Sequence, residues 1–361
     1  MGSRQLGLLL NWIDGKKGLR LTPENTYDLW TLRRTIQPGD LVQSWTSREV
    51  KIEGEFQRPD RGRRVRVRVK IEVESVRYDY DLGRIRVRGR IVDSDNELVP
   101  HGSFHSLDVL PLTDILLWRR DYPAWMIKRL QGRRLSRSQV LIAIDSREAG
   151  VGLLSGLTLK VYGTVESGLS GKQYAQDNEK LLRTYFGNIM GLLKSIPPPT
   201  RGQIVIGGPG NTKNRLANLI SEAGLSKEVV LLDGYDVAGD DGVRLMPSST
   251  SFRELVASTE YAQVQDLIET MTSYLARGDE RVALGVERCA FAAKKGAVRS
   301  LLLSDAIFKR VDEETIVGLA NETEAKGGEA YLLDSSTILG AQVDGLGGAV
   351  ALLRYTIPTP V

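Results

Sequence analysis

Seven cations crowd into residues 58–70, RPDRGRRVRVRVK: Arg58, Arg61, Arg63, Arg64, Arg66, Arg68 and Lys70, against the single acid Asp60. The first half, with Pro59 and Gly62, reads as an exposed turn. The second half alternates Arg66-Val67-Arg68-Val69-Lys70, a period of two that sends valines to one face of a strand and cations to the other. Each guanidinium is a planar fork that can grip two phosphate oxygens, so an arginine turn feeding a cationic strand face suits a nucleic-acid backbone. The alternative is an edge strand whose charges only discourage edge-to-edge pairing.

Other residue patterns carry less chemistry. Gly207-Gly-Pro-Gly-Asn-Thr-Lys213 follows an expected strand and opens an expected helix, but the phosphate-loop pattern needs Gly, four residues, then Gly-Lys-Ser/Thr. Here the spacing is wrong and Asn214 stands where a magnesium-binding hydroxyl belongs, so the segment reads as a tight turn. His101 and His105 are the only histidines, with Asp108 nearby. Gly102 and Ser103 place them in a turn entering a strand, which favours a structural role over a metal site. Asp14, Glu24 and Asp28 could face a magnesium ion beside RNA, yet their spacing is that of caps and surface acids. No Ser/His/Asp set or paired-carboxylate motif is present. The residues therefore describe a binding protein more readily than an enzyme.

The elements that must position these residues fall into blocks. Short alternating strands are expected at 7–10, 41–45, 48–56, 65–78, 84–92 and 102–110, around one helix at 23–36 with Thr22 as N-cap and Pro23 at its first position. That pattern suggests a small barrel, closed by a helix over 118–130. The polar, basic run 129–138 reads as a linker. Beyond it, apolar runs from Gln139, a helix over 172–195 ended by Pro197-Pro198-Pro199, and a strand–turn–helix–strand order over 203–232 imply a parallel sheet covered by helices. Met246-Pro-Ser-Ser-Thr-Ser251 reads as a second linker or hinge. Helices at 253–277, 280–295 and 313–326, alternating with strands at 298–303, 329–333 and 349–355, then make an α/β/α layer.

The 361 residues allow two or three domains. Net charge is +4, unevenly spread: residues 1–130 carry 24 Lys/Arg against 18 Asp/Glu, and residues 58–70 hold the whole of that excess. A polyanionic partner for the first domain follows. The single cysteine, Cys289, excludes intramolecular disulfides and thiolate clusters. No apolar run is long enough to span a membrane and no signal peptide is seen, so the protein is expected to be cytoplasmic.

The order of segments resembles the Pelota family, relatives of the eukaryotic-type class-one peptide release factors. Pro23-Glu24-Asn25-Thr26-Tyr27-Asp28-Leu29-Trp30, Pro38-Gly39-Asp40-Leu41-Val42 and Thr46-Ser47-Arg48-Glu49-Val50 are similar to the family's first-domain run. Gly102-Ser103-Phe104-His105-Ser106-Leu107-Asp108 resembles its next segment. Gly285-Val286-Glu287-Arg288-Cys289-Ala290 with Leu301-Leu302-Leu303-Ser304-Asp305, and the ending Leu346-Gly347-Gly348-Ala349-Val350-Ala351-Leu352-Leu353-Arg354-Tyr355, resemble its last domain. The likeness implies a multidomain α+β protein: an Sm-like β-barrel (1–130), a release-factor-like central α/β domain (138–248), and a C-terminal α/β/α sandwich like kink-turn-binding proteins (252–356).

It also implies a task. Such proteins enter the empty A site of a stalled ribosome with a GTP-bound, elongation-factor-one-alpha-type GTPase, and an ABC-type ATPase then splits the subunits. On this reading the protein is a monomer needing no cofactor for binding. Arg48 joins Arg58–Lys70 as the RNA- and ribosome-binding set, and Pro209, Gly210 and Asn211 mark the GTPase-docking loop. The family tends to show Pro-Gly-Phe there, so Asn211 replaces an aromatic anchor. The release factors' Gly-Gly-Gln loop is missing. The nearest strings, Arg201-Gly202-Gln203 and Gly340-Ala341-Gln342, fall at an expected strand start and in an expected loop of another domain, so peptide release is not expected. Two alternatives stay open: a divalent-metal-dependent mRNA endonuclease acting through the first domain, and a free-standing RNA-binding protein with no GTPase partner.

Overall fold

The computed structural model describes residues 8–24, 26–50, 63–79, 82–131, 138–168, 175–196, 202–226, 228–257 and 259–358. Its contacts divide it into two compact units, residues 7–133 and residues 134–361. No helix among the described residues is long and apolar enough to cross a membrane.

In the first unit, β1 (Leu9–Ile13), β2 (Gly18–Thr22), β3 (Leu41–Val50), β4 (Arg63–Asp79), β5 (Arg84–Ser94), β6 (Phe104–Val109) and β7 (Ile115–Trp118) form one sheet in the order β1-β2-β7-β3-β4-β5-β6. Helix α1 (Thr26–Thr35) sits between β2 and β3, and α2 (Ala124–Leu130) follows β7. The pattern of alternation explains the strands. Val67, Val69, Ile71 and Val73 of β4 are buried, while Arg64, Arg66 and Glu72 between them are not. The buried face meets Leu29 and Leu32 of α1, Ile36 just after it, and Met126 and Leu130 of α2 in one apolar cluster; burying each such side chain is worth roughly 1.5–3 kcal/mol.

The sheet curls strongly. The β4–β5 register shifts twice, between Lys70 and Ile71 and between Val73 and Ser75. Where the strands press together, a Cβ on Gly89 would lie 1.9 Å from the Glu72 carbonyl oxygen, so only glycine fits that bend. The curl carries β6 back to β3, where His105 Nε2 and Thr46 Oγ1 share a hydrogen bond of 3.1 Å. The strand order is nonetheless open, with β1 and β6 as its edges.

Four sequence expectations change here. The helix expected from Pro23 with Thr22 as its cap begins only at Thr26, because Thr22 is the last residue of β2. Residues 41–45 and 48–50 are one strand, β3, because Thr46 and Ser47 keep the ladder to β4 unbroken. Strand β2 has no counterpart among the expected strands. Trp118 ends β7 instead of opening a helix, since Leu116–Trp118 pair with both β2 and β3.

The second unit holds two sheets. Strands β8 (Gln139–Ile144), β9 (Glu148–Ser155), β10 (Thr158–Glu166), β11 (Gln203–Gly207) and β12 (Val229–Leu231) run in the order β10-β9-β8-β11-β12, with β8, β11 and β12 parallel. Helices α3 (Ala175–Ser195) and α4 (Thr212–Glu222) cover one face through Tyr185, Ile189, Leu193, Leu216 and Ile220. Residues 197–199, expected to end α3, lie outside the described residues. Helix α5 (Gly239–Leu245) packs on the other face, its Gly242 backed onto Ala143.

Next come α6 (Thr250–Leu255), α7 (Glu260–Ala276), β13 (Val282–Leu284), α8 (Val286–Lys294), β14 (Val298–Ser304), α9 (Glu313–Ala325), β15 (Glu329–Leu333), α10 (Ile338–Gly345) and β16 (Ala349–Leu353), with strand order β13-β16-β14-β15. The expected single helix over 253–277 is two, and β13 with the Gly285 turn stands inside what reads as the start of the next helix.

The stretch 246–251, expected to be a linker or hinge, is folded and anchored. Met246–Ser248 make a 3₁₀ turn, Ser249 caps α6 by accepting from the Phe252 N–H, and Ser251 Oγ donates to the Asp233 carbonyl. Met246 and Phe252 are fully buried in a cluster that runs from Leu141 and Val205 of the five-stranded sheet to Leu302 and Tyr331 of the four-stranded one. A linker-like composition is overruled by two apolar anchors and a cap.

Candidate nucleic-acid interface

The alternation in β4 places Arg64, Arg66, Arg68 and Lys70 on the face away from the core. Arg58 and Arg61 lie outside the described residues; Arg63 begins β4 and pairs with Val50. From Val69 to Glu72 β4 is flanked by β3 on one side and β5 on the other, while over Arg63–Val67 its ladder is with β3 alone. Edge protection could account for Arg64 and Arg66. It does not account for Arg68 and Lys70, where β5 or the loop after it covers the strand: Arg68 N–H donates to Asp95 Oδ1 and its carbonyl accepts from Asp95 N–H.

Charge balance separates this face from its neighbour. Strand β5 also carries outward arginines, Arg84, Arg86, Arg88 and Arg90, which the sequence reading passed over. Most are already matched: Arg84 and Arg86 share Asp108 at 3.0 Å, Arg84 also meets Asp79 at 3.2 Å, and Arg90 meets Glu74 at 3.1 Å. On β4, Arg64 and Arg66 make no ion pair with any carboxylate whose side chain is described, and Lys70 pairs loosely with Asp93 at 3.9 Å. Arg68 helps hold the Asp114 carboxyl below its ordinary range, but the larger cause there is the hydrogen-bonded fork from Arg20 Nε, 2.9–3.0 Å away. A phosphate approaching Arg64 or Arg66 finds a cation that need not first give up a described carboxylate.

Aromatic rings stand among those cations. The Arg66 guanidinium lies 5.1 Å from the Trp45 ring centre, and Trp45 is 47% exposed. Lys70 Nζ lies 4.4 Å from the Trp118 ring, whose Nε1–H donates to Asp14 Oδ2 at 2.7 Å. A Cβ on Gly18 would fall 2.6 Å from that same nitrogen, so glycine is what lets the indole lie across β2. Trp45 was missed in the sequence, although a large ring between Gln43 and Ser47 on a polar face was a readable signal.

Arg48 stands apart from the set. It shares the opposite, inward-facing side of β3 with Thr46, and its Nη2 donates to Ser103 Oγ at 3.0 Å, while Nη1 is buried with no hydrogen-bond partner among the described residues. Burial first, and then the Arg48 charge, hold the neighbouring His105 below its ordinary value. His101 is exposed in the turn before β6, so the two histidines do not converge. Among the described residues no group of three or more His, Cys, Asp or Glu could hold a metal ion.

These features recur in known proteins. Residues 10–133 match the Pelota N-terminal domain, and residues 261–357 match domain 3 of eRF1. A protein described as "Protein pelota homolog" in Cenarchaeum symbiosum is 34% identical over 345 residues, covering 94% of this chain and 97% of that one. The chain belongs to the Pelota family. A second homolog, from Nitrosopumilus maritimus, is 33% identical over 342 residues, covering 94% and 97%. The crystal structure of the Thermoplasma acidophilum Pelota protein shares the fold, with a TM-score of 0.63 at 21% identity over 98% of this chain and all of that one.

The docking loop expected in this Pelota-family chain is built tightly. Gly208, at φ +133°, donates its N–H to the Tyr235 carbonyl, and a Cβ there would sit 1.9 Å from the Ile144 oxygen. Gly210 and Asn211 are exposed and Pro209 is half-buried, and Asn211 Oδ1 accepts from Asn214. Lys213 Nζ donates to the Leu232 carbonyl at 3.3 Å, in keeping with a turn and not a phosphate site. Gln203 opens β11, whereas Gly340-Ala341-Gln342 lies inside α10 and not in the loop expected of it.

Proposed function

We propose that this protein acts in ribosome rescue and mRNA surveillance, entering the empty A site of stalled ribosomes with a translational GTPase and promoting subunit dissociation. The observation that carries the reading is the outward cationic face of β4, where Arg64 and Arg66 have no described carboxylate partner, on the domain that matches the Pelota N-terminal domain. A protein held to rRNA and mRNA by that face needs position more than chemistry, so it binds without a cofactor and works as a cytoplasmic monomer. The GTP-bound, elongation-factor-one-alpha-type GTPase docks on residues 134–361, with Pro209, Gly210 and Asn211 in its footprint, and an ABC-type ATPase completes the splitting.

No specific observation favours RNA cleavage, the only reading that would call for a divalent cation. Asp14 is engaged by Trp118, and Asp28 accepts from the Glu24 N–H at 2.8 Å near the start of α1. The deciding experiment mixes the protein, the GTPase with GTP, the ATPase and ribosomes stalled with a vacant A site, and follows subunit separation on a sucrose gradient. Splitting that depends on the protein, with full-length message recovered, is the expected result. Splitting that does not depend on it would remove the reading, and discrete cuts in the message with magnesium or manganese would replace it with the nuclease.

A further inference from the structure

The first unit sets its part-exposed tryptophans in different surroundings. Trp12 meets Tyr122 edge-on, with ring centres 5.2 Å apart. Trp118 is fixed by Asp14, Lys70 and the Gly18 backbone. Trp45 has one ring contact among the described residues, Arg66, and its indole N–H has no hydrogen-bond partner among them. Its position is also unusual for an exposed indole: it sits mid-strand, directly across from Arg68 and diagonal to Arg66. An indole that is half exposed here gains little from core packing, and a solvated Arg–Trp pair is worth only about 0.5–1 kcal/mol. Cations for phosphate and an aromatic platform within one residue spacing is the arrangement that holds unpaired nucleotides.

We propose that Trp45 is a stacking platform for an unpaired RNA base, with Arg66 and Arg68 taking the flanking phosphates, so that the β4 face selects single-stranded over duplex RNA. This rests on the β4 face being an RNA surface, and it adds what that surface distinguishes. An indole offers a π-face to any base, so the preference is for an unstacked base and not for a sequence. The two arginines explain affinity for any phosphate chain; the ring explains why a base must be present.

The test uses the full-length protein and three probes of equal length: oligouridylate, the same backbone without bases, and duplex RNA. The parent is expected to bind oligouridylate about tenfold more tightly than the abasic chain, the gain that one base–aromatic stack provides. Trp45→Ala should erase that preference while leaving abasic binding and its salt slope unchanged, and Trp45→Phe should keep most of it. If Trp45→Ala retains the preference, or weakens both probes equally, the platform is wrong while the cationic face stands. If the parent binds none of the probes, the RNA reading of β4 falls and the platform with it. Melting curves for both variants separate these outcomes from misfolding.

Discussion

Burial pushes the Cys289 thiol up to about 12, and its Sγ–H donates to the Ala283 carbonyl. A thiol reagent attacks the thiolate, so a buried group with so high a pKa should be inert. Cys289 is the only cysteine, and Ellman's reagent at pH 8 should therefore find no thiol in the native protein within minutes and one after urea unfolding. Reaction of the native protein at the rate of a free thiol would show that α8 does not hold it as described. His105 offers a second readout, with a definite sign. Its folded pKa lies below the ordinary 6.5, because burial and Arg48 disfavour the charged ring. The unfolded chain then binds the proton more readily, so stability is full above about pH 6.5 and falls as pH drops toward the folded value. Urea titrations at stepped pH should show that decline, and His105→Gln should flatten it. Neither environment was legible from sequence. The glycine and serine before His105 mark it as structural, but its neighbours Thr46 and Arg48 come from a strand more than fifty residues away.

At the scale of elements, strict alternation made β4 and β5 readable, because a half-buried strand must write its two faces into the sequence. What failed to read were elements whose partners decide them: β7, an apolar Ile-Leu-Leu-Trp run that two neighbouring strands hold extended, and β2, only five residues long although the Asp14-Gly15 turn precedes it. For the candidate site, the cation face of β4 was legible and the difference between β4 and β5 was not. That difference depends on Asp79, Asp108 and Glu74 arriving beside the β5 arginines. Replacing Arg64, Arg66 and Arg68 by Gln should therefore weaken RNA binding and flatten the log–log salt dependence by about 0.7–0.9 for each phosphate no longer neutralised. The melting temperature should stay near the parent's, since exposed substitutions usually cost within about 0.5 kcal/mol. An unchanged slope would mean that these arginines do not touch phosphate. The loop after β11 makes the opposite prediction. Gly208→Ala puts a methyl into the Ile144 carbonyl at a φ that side chains avoid, so it should cost about 3 kcal/mol or more. A urea midpoint that did not move would contradict the geometry of that turn.

At the scale of the whole molecule, the sequence divides residues 134–361 at a hinge, and the structure joins them through a common core. The division rests on composition: Pro-Ser-Ser-Thr-Ser resembles a spacer, and nothing local says that Met246 and Phe252, on either side, will both be buried completely. Burial of that kind is set by surfaces that come together only in the fold, here α5, α7 and the two sheets. The consequence is mechanical. If the five-stranded and four-stranded sheets share one apolar cluster, weakening it should loosen both together. Phe252→Ala removes a fully buried ring, a change that costs about 3–5 kcal/mol in a packed core. Hydrogen exchange is the suitable measurement, because it reports opening strand by strand. Amides of β8 and β11 and those of β14 and β16 should lose protection by similar factors, while β4 and β5, in the other compact unit, should exchange as in the parent. Were only the four-stranded sheet to lose protection, the cluster would be two cores in contact and the hinge expected from the sequence would be restored.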